Sequence, residues 1–203
     1  MEDSPIAELR RLLSEHGAKE IDDPTLAPAG VMILIYPKDG EYCVLLNKRS
    51  EKVEHHKGEI SFPGGGRDPE DDSFEATALR ETHEEMGIRP EDVQLLGRID
   101  DMATRSRFLM RPYVGTIPYP YDFRPFEAEV AEVLEAPLSM LMDESNFREE
   151  VRIVDGELSI SPAYAYDGHV VFGATARVLS QFLDLLQAAP GPLKEALWKT
   201  SQP

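Results

Sequence analysis

The sequence is poor in cysteine, in basic charge and in long apolar runs. Its 203 residues contain one cysteine, Cys43, so an intramolecular disulfide is excluded and a cysteine-based metal site is not expected. The longest apolar run, residues 30–36, is far shorter than the roughly 20 residues that a membrane helix needs. The start of the chain, residues 1–5, is acidic and polar rather than signal-like, so we expect a cytoplasmic protein without a membrane partner.

The charge balance is strongly acidic. The formal net charge is −17, from 38 acidic and 21 basic residues. This argues against a nucleic-acid partner, because affinity for a phosphate backbone needs a basic surface. The acids could simply keep the protein soluble, or some of them could form a cation site. Local spacing has to decide between these two explanations.

Periodicity predicts a mixed sheet with helices before, within and after it, which is an α/β or α+β fold. We divide the chain into an N-terminal helix and linker (1–28), a main domain (29–188) and a C-terminal tail or short helix (189–203). Helices are predicted at 4–16, 72–86, 138–142, 173–186 and 193–198. Strands are predicted at 30–36, 41–46, 60–62, 93–99, 108–117, 128–134, 151–154 and 158–160, with 48–57 as a loop and 63–66 ending a strand.

The helix predicted at 72–86 carries the candidate metal site. Asp72 can cap its start, Glu75 follows as in a capping box, and Gly87 suits its end. Residues three and four apart share a helix face, so its three glutamates cluster while its apolar face meets the core. The glutamates are Glu81, Glu84 and Glu85, and the core-facing residues are Leu79, Thr82 and Met86.

Three carboxylates on one helix face repel one another, and a divalent cation would turn that repulsion into attraction. Carboxylate oxygens are hard ligands that suit Mg²⁺ or Mn²⁺. A solvated acidic face is the simpler alternative. The neighbourhood favours a site, because a glycine-rich turn at 63–66 can bring backbone N–H groups near an anion. Arg80 could tie the helix to that turn through charge-assisted hydrogen bonds.

Gly66, Asp72 and the run from Arg80 to Ile88 resemble the Nudix box: Gly, five residues, Glu, seven residues, Arg-Glu-aliphatic-any-Glu-Glu-any-Gly-aliphatic. The spacing matches throughout. Asp72 stands where the box has Glu, so we interpret it as a helix cap rather than a metal ligand. Thr82 stands where the box has an aliphatic residue.

The resemblance implies an α/β/α sandwich and hydrolysis of a nucleoside diphosphate linked to another moiety. It implies that Glu81, Glu84 and Glu85 bind Mg²⁺ or Mn²⁺. The catalytic residues that it implies are Glu81, Glu84 and Arg80, and Arg80 acts as the structural partner of the box. Such metals neutralise the pyrophosphate and lower the pKa of an attacking water. The general base stays open among Glu81, Glu84 and the later Glu129 and Glu132.

The segments 45–50 and 56–65 resemble the coenzyme A pyrophosphatase branch of this family, as do 129–138 and 172–177. Asn47 replaces that branch's usual Thr, and an arginine often found in the spacer is absent. The resemblance implies coenzyme A or acyl-coenzyme A as substrate. The residues implied to bind it are Arg49, His56, Gly64, Gly65 and Gly66.

Other residues could also contact such a substrate. Cations for its 3′-phosphate could come from Lys48, Lys52, Lys57, Arg105 or Arg107, and an aromatic for adenine from Phe108, Tyr113 or Tyr119. Two alternatives remain open: a Nudix hydrolase for ADP-ribose or dinucleoside polyphosphates, and a non-catalytic Nudix binding module. A homodimer is possible, although no interface is identifiable from the sequence.

Overall fold

The structure, a computed structural model, describes residues 4–154 and 156–189, together with Leu193 and Leu197. Its helices are α1 (Pro5–His16), α2 (Phe74–Met86), α3 (Leu138–Leu141) and α4 (Gly173–Gln187). Its strands are β1 (Ala27–Lys38), β2 (Glu41–Arg49), β3 (Ile60–Ser61), β4 (Gly64–Gly66), β5 (Gln94–Arg98), β6 (Met102–Ala103), β7 (Phe108–Thr116), β8 (Val130–Pro137), β9 (Phe147–Val154), β10 (Glu157–Tyr166) and β11 (His169–Val171).

The main sheet has eight strands and mixed direction. Its central order is β3-β2-β1-β7-β5, with β4 paired to β1, β6 to β7 and β8 to β2. Strands β1 and β7 run parallel, whereas the other pairs are antiparallel. A second, antiparallel sheet has the order β11-β10-β9. The predicted α/β (α+β) class with a mixed sheet is confirmed.

Strand β1 separates two apolar layers because its side chains alternate between the faces of the sheet. Val31, Ile33 and Ile35 pack in one cluster with residues of α1 and α4. Met32 and Leu34 pack in the other cluster with residues of α2. Helices therefore cover both faces, which makes the predicted α/β/α sandwich and places α2 directly over β1.

Several predicted boundaries hold and several do not. Helix α1 begins after Ser4, whose hydroxyl accepts from the Ala7 N–H, and it ends at Gly17 as predicted. Two short strands go beyond the sequence prediction: β4 lies where the glycine run is expected only to end a strand, and β6 lies in a segment for which no element is predicted. The second sheet extends well beyond the predicted 151–160 hairpin and gains β11. Asp155 of the predicted turn lies outside the described residues. The helix predicted at 193–198 also lies outside them, apart from Leu193 and Leu197.

No helix among the described residues is both long enough and apolar enough to cross a membrane.

Candidate active site

Helix α2 positions the three glutamates, and it begins one residue later than its predicted cap. Ser73, not Asp72, caps the helix: its side chain accepts a hydrogen bond from the Ala76 N–H at 3.1 Å. The capping box predicted for Asp72 and Glu75 is therefore wrong, because a hydroxyl one position later accepts from a free N–H of the first turn. The helix ends at Gly87, whose φ of 70° is the left-handed conformation expected of a terminal glycine.

Arg80 organises the exposed side of this site. Its Nε and Nη2 donate to both carboxylate oxygens of Asp71 at 3.0 and 2.9 Å, and Nη2 also donates to the Gly66 carbonyl at 3.1 Å. Its Nη1 donates to Glu81 Oε1 at 3.0 Å and to Glu84 Oε2 at 2.9 Å. The predicted tie between Arg80 and the glycine turn is thus present. Arg80 also holds two of the three box glutamates.

Asp71 is a site residue that the sequence did not single out. Its carboxylate is almost fully buried, and the Arg80 guanidinium holds the pKa of that carboxyl well below its usual range. Asp71 Oδ2 also accepts from the Asp68 N–H at 3.0 Å, which closes the loop between the glycine turn and α2. The signal was the acidic run at 70–72, but only the path of the loop decides which acid meets Arg80.

Glu85 is the deepest of the three glutamates. Its side chain is 2 % exposed, compared with 16 % for Glu81 and 57 % for Glu84. Its Oε2 accepts from Asn47 Nδ2 at 3.0 Å and from the Gly64 N–H at 3.1 Å. Its Oε1 lies 3.5 Å from Arg49 Nη1. The exposure of the three carboxylates therefore decreases from Glu84 through Glu81 to Glu85, so this helix face is not uniformly exposed to solvent.

The environment of Glu85 disfavours its charge. Burial raises the pKa of Glu85 to about 7, although hydrogen bonds from the Gly64 N–H and Asn47 oppose the shift. Asn47, which departs from the resembled pattern, is itself buried and accepts from Ser61 Oγ at 2.5 Å through its own Oδ1. The glycine turn is expected to bring backbone N–H groups near an anion. In this structure the Gly64 N–H donates to the Glu85 carboxylate of the protein itself.

Gly65 lets the glycine turn approach α2. A Cβ at this position would lie 2.5 Å from Cδ and Oε1 of Glu81, so no larger residue fits without displacing that carboxylate. Burial raises the pKa of Glu81, the Arg80 guanidinium lowers it, and the carboxylates of Glu84 and Glu129 add to the increase. Four acids therefore influence one another around this turn, because Glu81 in turn raises the pKa of Glu85.

The residues present fit a divalent cation in their chemistry. They are hard oxygen donors held close enough to repel one another, and one is buried where an unbalanced charge is costly. In the described part of the chain, no three His, Cys, Asp or Glu side chains are already arranged around a common metal position. Arg80 Nη1 instead occupies Glu81 and Glu84. These two carboxylates would have to exchange that contact for a cation.

A cleft of about 730 Å³ adjoins the glycine turn. This volume lies within the range of about 300–1,000 Å³ that small-molecule sites occupy. The five residues implied to bind substrate all line it: Arg49, His56, Gly64, Gly65 and Gly66. His56 is more than half exposed, and its Nδ1 lies 3.0 Å from Glu59 Oε2. That histidine therefore makes a structural contact and faces the cleft as well.

Other candidates divide between the cleft and elsewhere. Arg105 and Phe108 line the cleft. The remaining named cations and aromatics are not among its lining residues: Lys48, Lys52, Lys57, Arg107, Tyr113 and Tyr119. Tyr119 stacks on Tyr36, with ring centroids 5.3 Å apart. The sequence missed two cations that the second sheet and α4 bring to the cleft, Arg152 and Arg177.

The two later base candidates lie in different environments. Glu129 is close enough to Glu81 to raise the pKa of that carboxyl. Glu132 Oε2 instead lies 3.4 Å from His169 Nε2 on β11. Glu129 thus acts electrostatically on Glu81, whereas Glu132 is paired with a histidine of the second sheet.

Comparisons with known proteins agree with this geometry. The model of the NUDIX domain family matches residues 26–154. A protein of Photorhabdus laumondii named Uncharacterized Nudix hydrolase NudL is 35 % identical over 144 residues, which are 71 % of this chain and 77 % of that protein. Nudix hydrolase 15, mitochondrial, of Arabidopsis thaliana is 30 % identical over 86 % of this chain and 64 % of its own length.

A solved structure shows the same fold. The MutT/nudix family protein from Enterococcus faecalis aligns with a TM-score of 0.51 at 17 % identity, covering 91 % of this chain and 72 % of that chain. The names of these two sequence relatives specify no substrate. The matched domain and the sequence relatives establish the family, and the chain belongs to the Nudix family of pyrophosphohydrolases.

Proposed function

We propose that this hydrolase cleaves the pyrophosphate of coenzyme A or acyl-coenzyme A, giving 3′,5′-ADP and 4′-phosphopantetheine. The observation that carries the proposal is the shared glycine turn at Gly64–Gly66. One side of the turn contacts Glu81 and Glu85, and the same three glycines line the cleft. A pyrophosphate in the cleft next to this turn would lie beside the acidic cluster.

The cleft also suits the two ends of such a substrate. Phe108, Met110 and Phe172 supply apolar surface for an adenine ring or a pantetheine arm, and arginines supply positive charge for phosphates. The segments that resemble the coenzyme A branch contribute Arg49, His56 and the glycines to this wall. These residues lie on β2, on the loop that follows it and on β4, and their meeting in one cleft supports a common substrate role.

Nudix hydrolases use divalent cations such as Mg²⁺ or Mn²⁺. In our proposal Glu81, Glu84 and Glu85 hold the cation. The chemistry that such a cation supplies when bound is neutralisation of the pyrophosphate and a lowered pKa for an attacking water. Asn47 and the Gly64 N–H orient the Glu85 carboxylate for this task.

Arg80 acts as a positioning residue in this proposal. Before a cation binds, it holds the Glu81 and Glu84 carboxylates next to each other. Its bonds to Asp71 and to the Gly66 carbonyl tie α2 to the glycine turn and do not depend on that contact. Glu129 is the general-base candidate that we favour over Glu132, because Glu129 is close enough to raise the pKa of Glu81, whereas the Glu132 carboxylate lies 3.4 Å from His169 Nε2. A base in this position would take the proton of the attacking water.

A substrate panel tests the proposal. Purified protein with Mg²⁺ or Mn²⁺ is given coenzyme A, acetyl-coenzyme A, ADP-ribose and diadenosine tetraphosphate, and the products are separated by chromatography. We expect release of 3′,5′-ADP from coenzyme A with the highest kcat/KM of the panel. A higher kcat/KM for ADP-ribose or the dinucleoside polyphosphate would overturn the substrate assignment and favour the other Nudix activity.

A further inference from the structure

The cleft reverses the charge balance of the whole protein. The chain has 38 acidic and 21 basic residues, yet four arginines and only two glutamates line the cleft. One of the four, Arg49, lies 3.5 Å from the Glu85 carboxylate and so belongs to the acidic cluster. The other three, Arg105, Arg152 and Arg177, come from a loop, from β9 and from α4.

The three side chains differ in their local partners. Arg105 donates to the Ser159 hydroxyl on β10, which joins its loop to the second sheet. Arg152 lies 2.5 Å from Glu150 Oε1 and stacks over the Phe172 ring at 5.7 Å. Among the described residues, neither Arg105 nor Arg177 forms an ion pair with a carboxylate. Two guanidinium groups that line the cleft therefore have no carboxylate partner within the described part of the chain.

The residue type also indicates a phosphate. Of the described residues, no lysine lines the cleft, although the adjoining segment 48–57 contains Lys48, Lys52 and Lys57. A guanidinium offers a planar fork of donors that matches phosphate oxygens, whereas an ammonium acts as a point charge. The first turn of α4, including Ala174 and Thr175, lines the same wall and adds the positive end of a helix.

We propose that Arg105, Arg152 and Arg177 form a second anion subsite that binds a phosphomonoester remote from the pyrophosphate that is cleaved. The subsite would determine specificity without contacting the reacting atoms. Its identification with the 3′-phosphate of coenzyme A rests on the proposed function. The subsite itself would bind any ligand that places a terminal phosphate at these three arginines.

The first experiment compares coenzyme A with 3′-dephospho-coenzyme A, which has the same pyrophosphate and pantetheine arm and lacks only that phosphate. We expect wild-type kcat/KM to be at least about tenfold higher for coenzyme A, which corresponds to about 1.4 kcal/mol. Arg177→Gln and Arg105→Gln should each raise the KM for coenzyme A about tenfold with little change in kcat. The KM for the dephosphorylated substrate should change less than about twofold.

Two control variants separate the subsite from general effects. Arg11→Gln removes the same charge from α1, where Arg11 pairs with Glu15 outside the cleft, and should leave both substrates unaffected. Arg177→Lys keeps the charge and removes the fork, so its KM should lie between those of wild type and Arg177→Gln. Equal losses on both substrates in Arg177→Gln would overturn the subsite while leaving the proposed function standing.

A binding measurement decides the subsite even if coenzyme A is not a substrate. Isothermal titration without a divalent cation compares 3′,5′-ADP with 5′-AMP, which differ only in the 3′-phosphate. We expect 3′,5′-ADP to bind at least about tenfold more tightly, and Arg177→Gln to abolish that difference. Failure to hydrolyse either coenzyme A form would reject the proposed function alone. Equal affinity of the wild-type protein for the two nucleotides would reject the subsite.

Discussion

Gly65 offers a way to move one carboxylate without changing any charge. In Gly65→Ala the new Cβ would lie 2.5 Å from Glu81 Cδ and Oε1, whereas carbon atoms in ordinary contact are about 3.5–4.0 Å apart. The Glu81 carboxylate must therefore retreat by roughly 1 Å. A misplacement of about 1 Å in a catalytic arrangement can lower the rate by about a hundredfold, or about 2.7 kcal/mol of barrier. We expect a loss of that size in kcat with saturating Mg²⁺.

The fold should tolerate this substitution, because the displaced atoms are the end of a flexible side chain. We expect the free energy of unfolding, measured in urea, to change by less than about 1 kcal/mol. Gly66→Ala is the matched comparison: a Cβ there meets nothing within 4 Å, so its loss of kcat should be much smaller than that of Gly65→Ala. Wild-type kcat in Gly65→Ala, or an equal loss in Gly66→Ala, would refute the argument that the turn positions Glu81.

Four further substitutions test other parts of the site. Glu85→Gln is isosteric and should remove nearly all activity at an unchanged thermal midpoint; wild-type turnover would reject Glu85 as a metal ligand. Asp71→Asn should lower the free energy of unfolding at pH 7 by about 2 kcal/mol, because Arg80 loses its paired carboxylate. Since Arg80 lowers the pKa of Asp71, this stabilisation is present above about pH 4 and disappears as the pH falls further, so the wild type and Asp71→Asn should converge in acid. Glu129→Gln should lower kcat by at least about a hundredfold, and Glu132→Gln by less than about threefold, when kcat is measured across a pH series. A larger loss of kcat in Glu132→Gln than in Glu129→Gln would assign the general base to Glu132 instead.

Local features of the sequence were enough to predict the acidic helix. Helical spacing brings Glu81, Glu84 and Glu85 together, and Gly87 marks the end of the helix, because both effects act within a few residues along the chain. The cap was wrong by one position. Asp72 and Ser73 can both accept the hydrogen bond of a first-turn N–H, and only the path of the preceding loop selects Ser73.

Features that depend on distant segments could not be predicted. Periodicity places Glu85 on a helix face, but its burial comes from Asn47 on β2 and Gly64 on β4, which pack against that face. The arginines of the second sheet and α4 reach the cleft only because that sheet folds back beside it. Strand β11, with three residues, is too short to show a periodicity of its own.

The separation of charge within the site explains how a strongly acidic protein can bind an anion. Charges more than about 8–10 Å apart are largely screened at physiological ionic strength, so the net charge of −17 has little influence inside the cleft. There the ligand meets the arginines and the glycine turn, while the carboxylates of Glu81 and Glu84 are engaged by Arg80. A cation that took the place of Arg80 at these carboxylates would let the same acids attract positive charge instead of repelling one another. The negative balance of the chain therefore argues against a broad polyanion such as nucleic acid, while leaving room for a compact phosphorylated substrate.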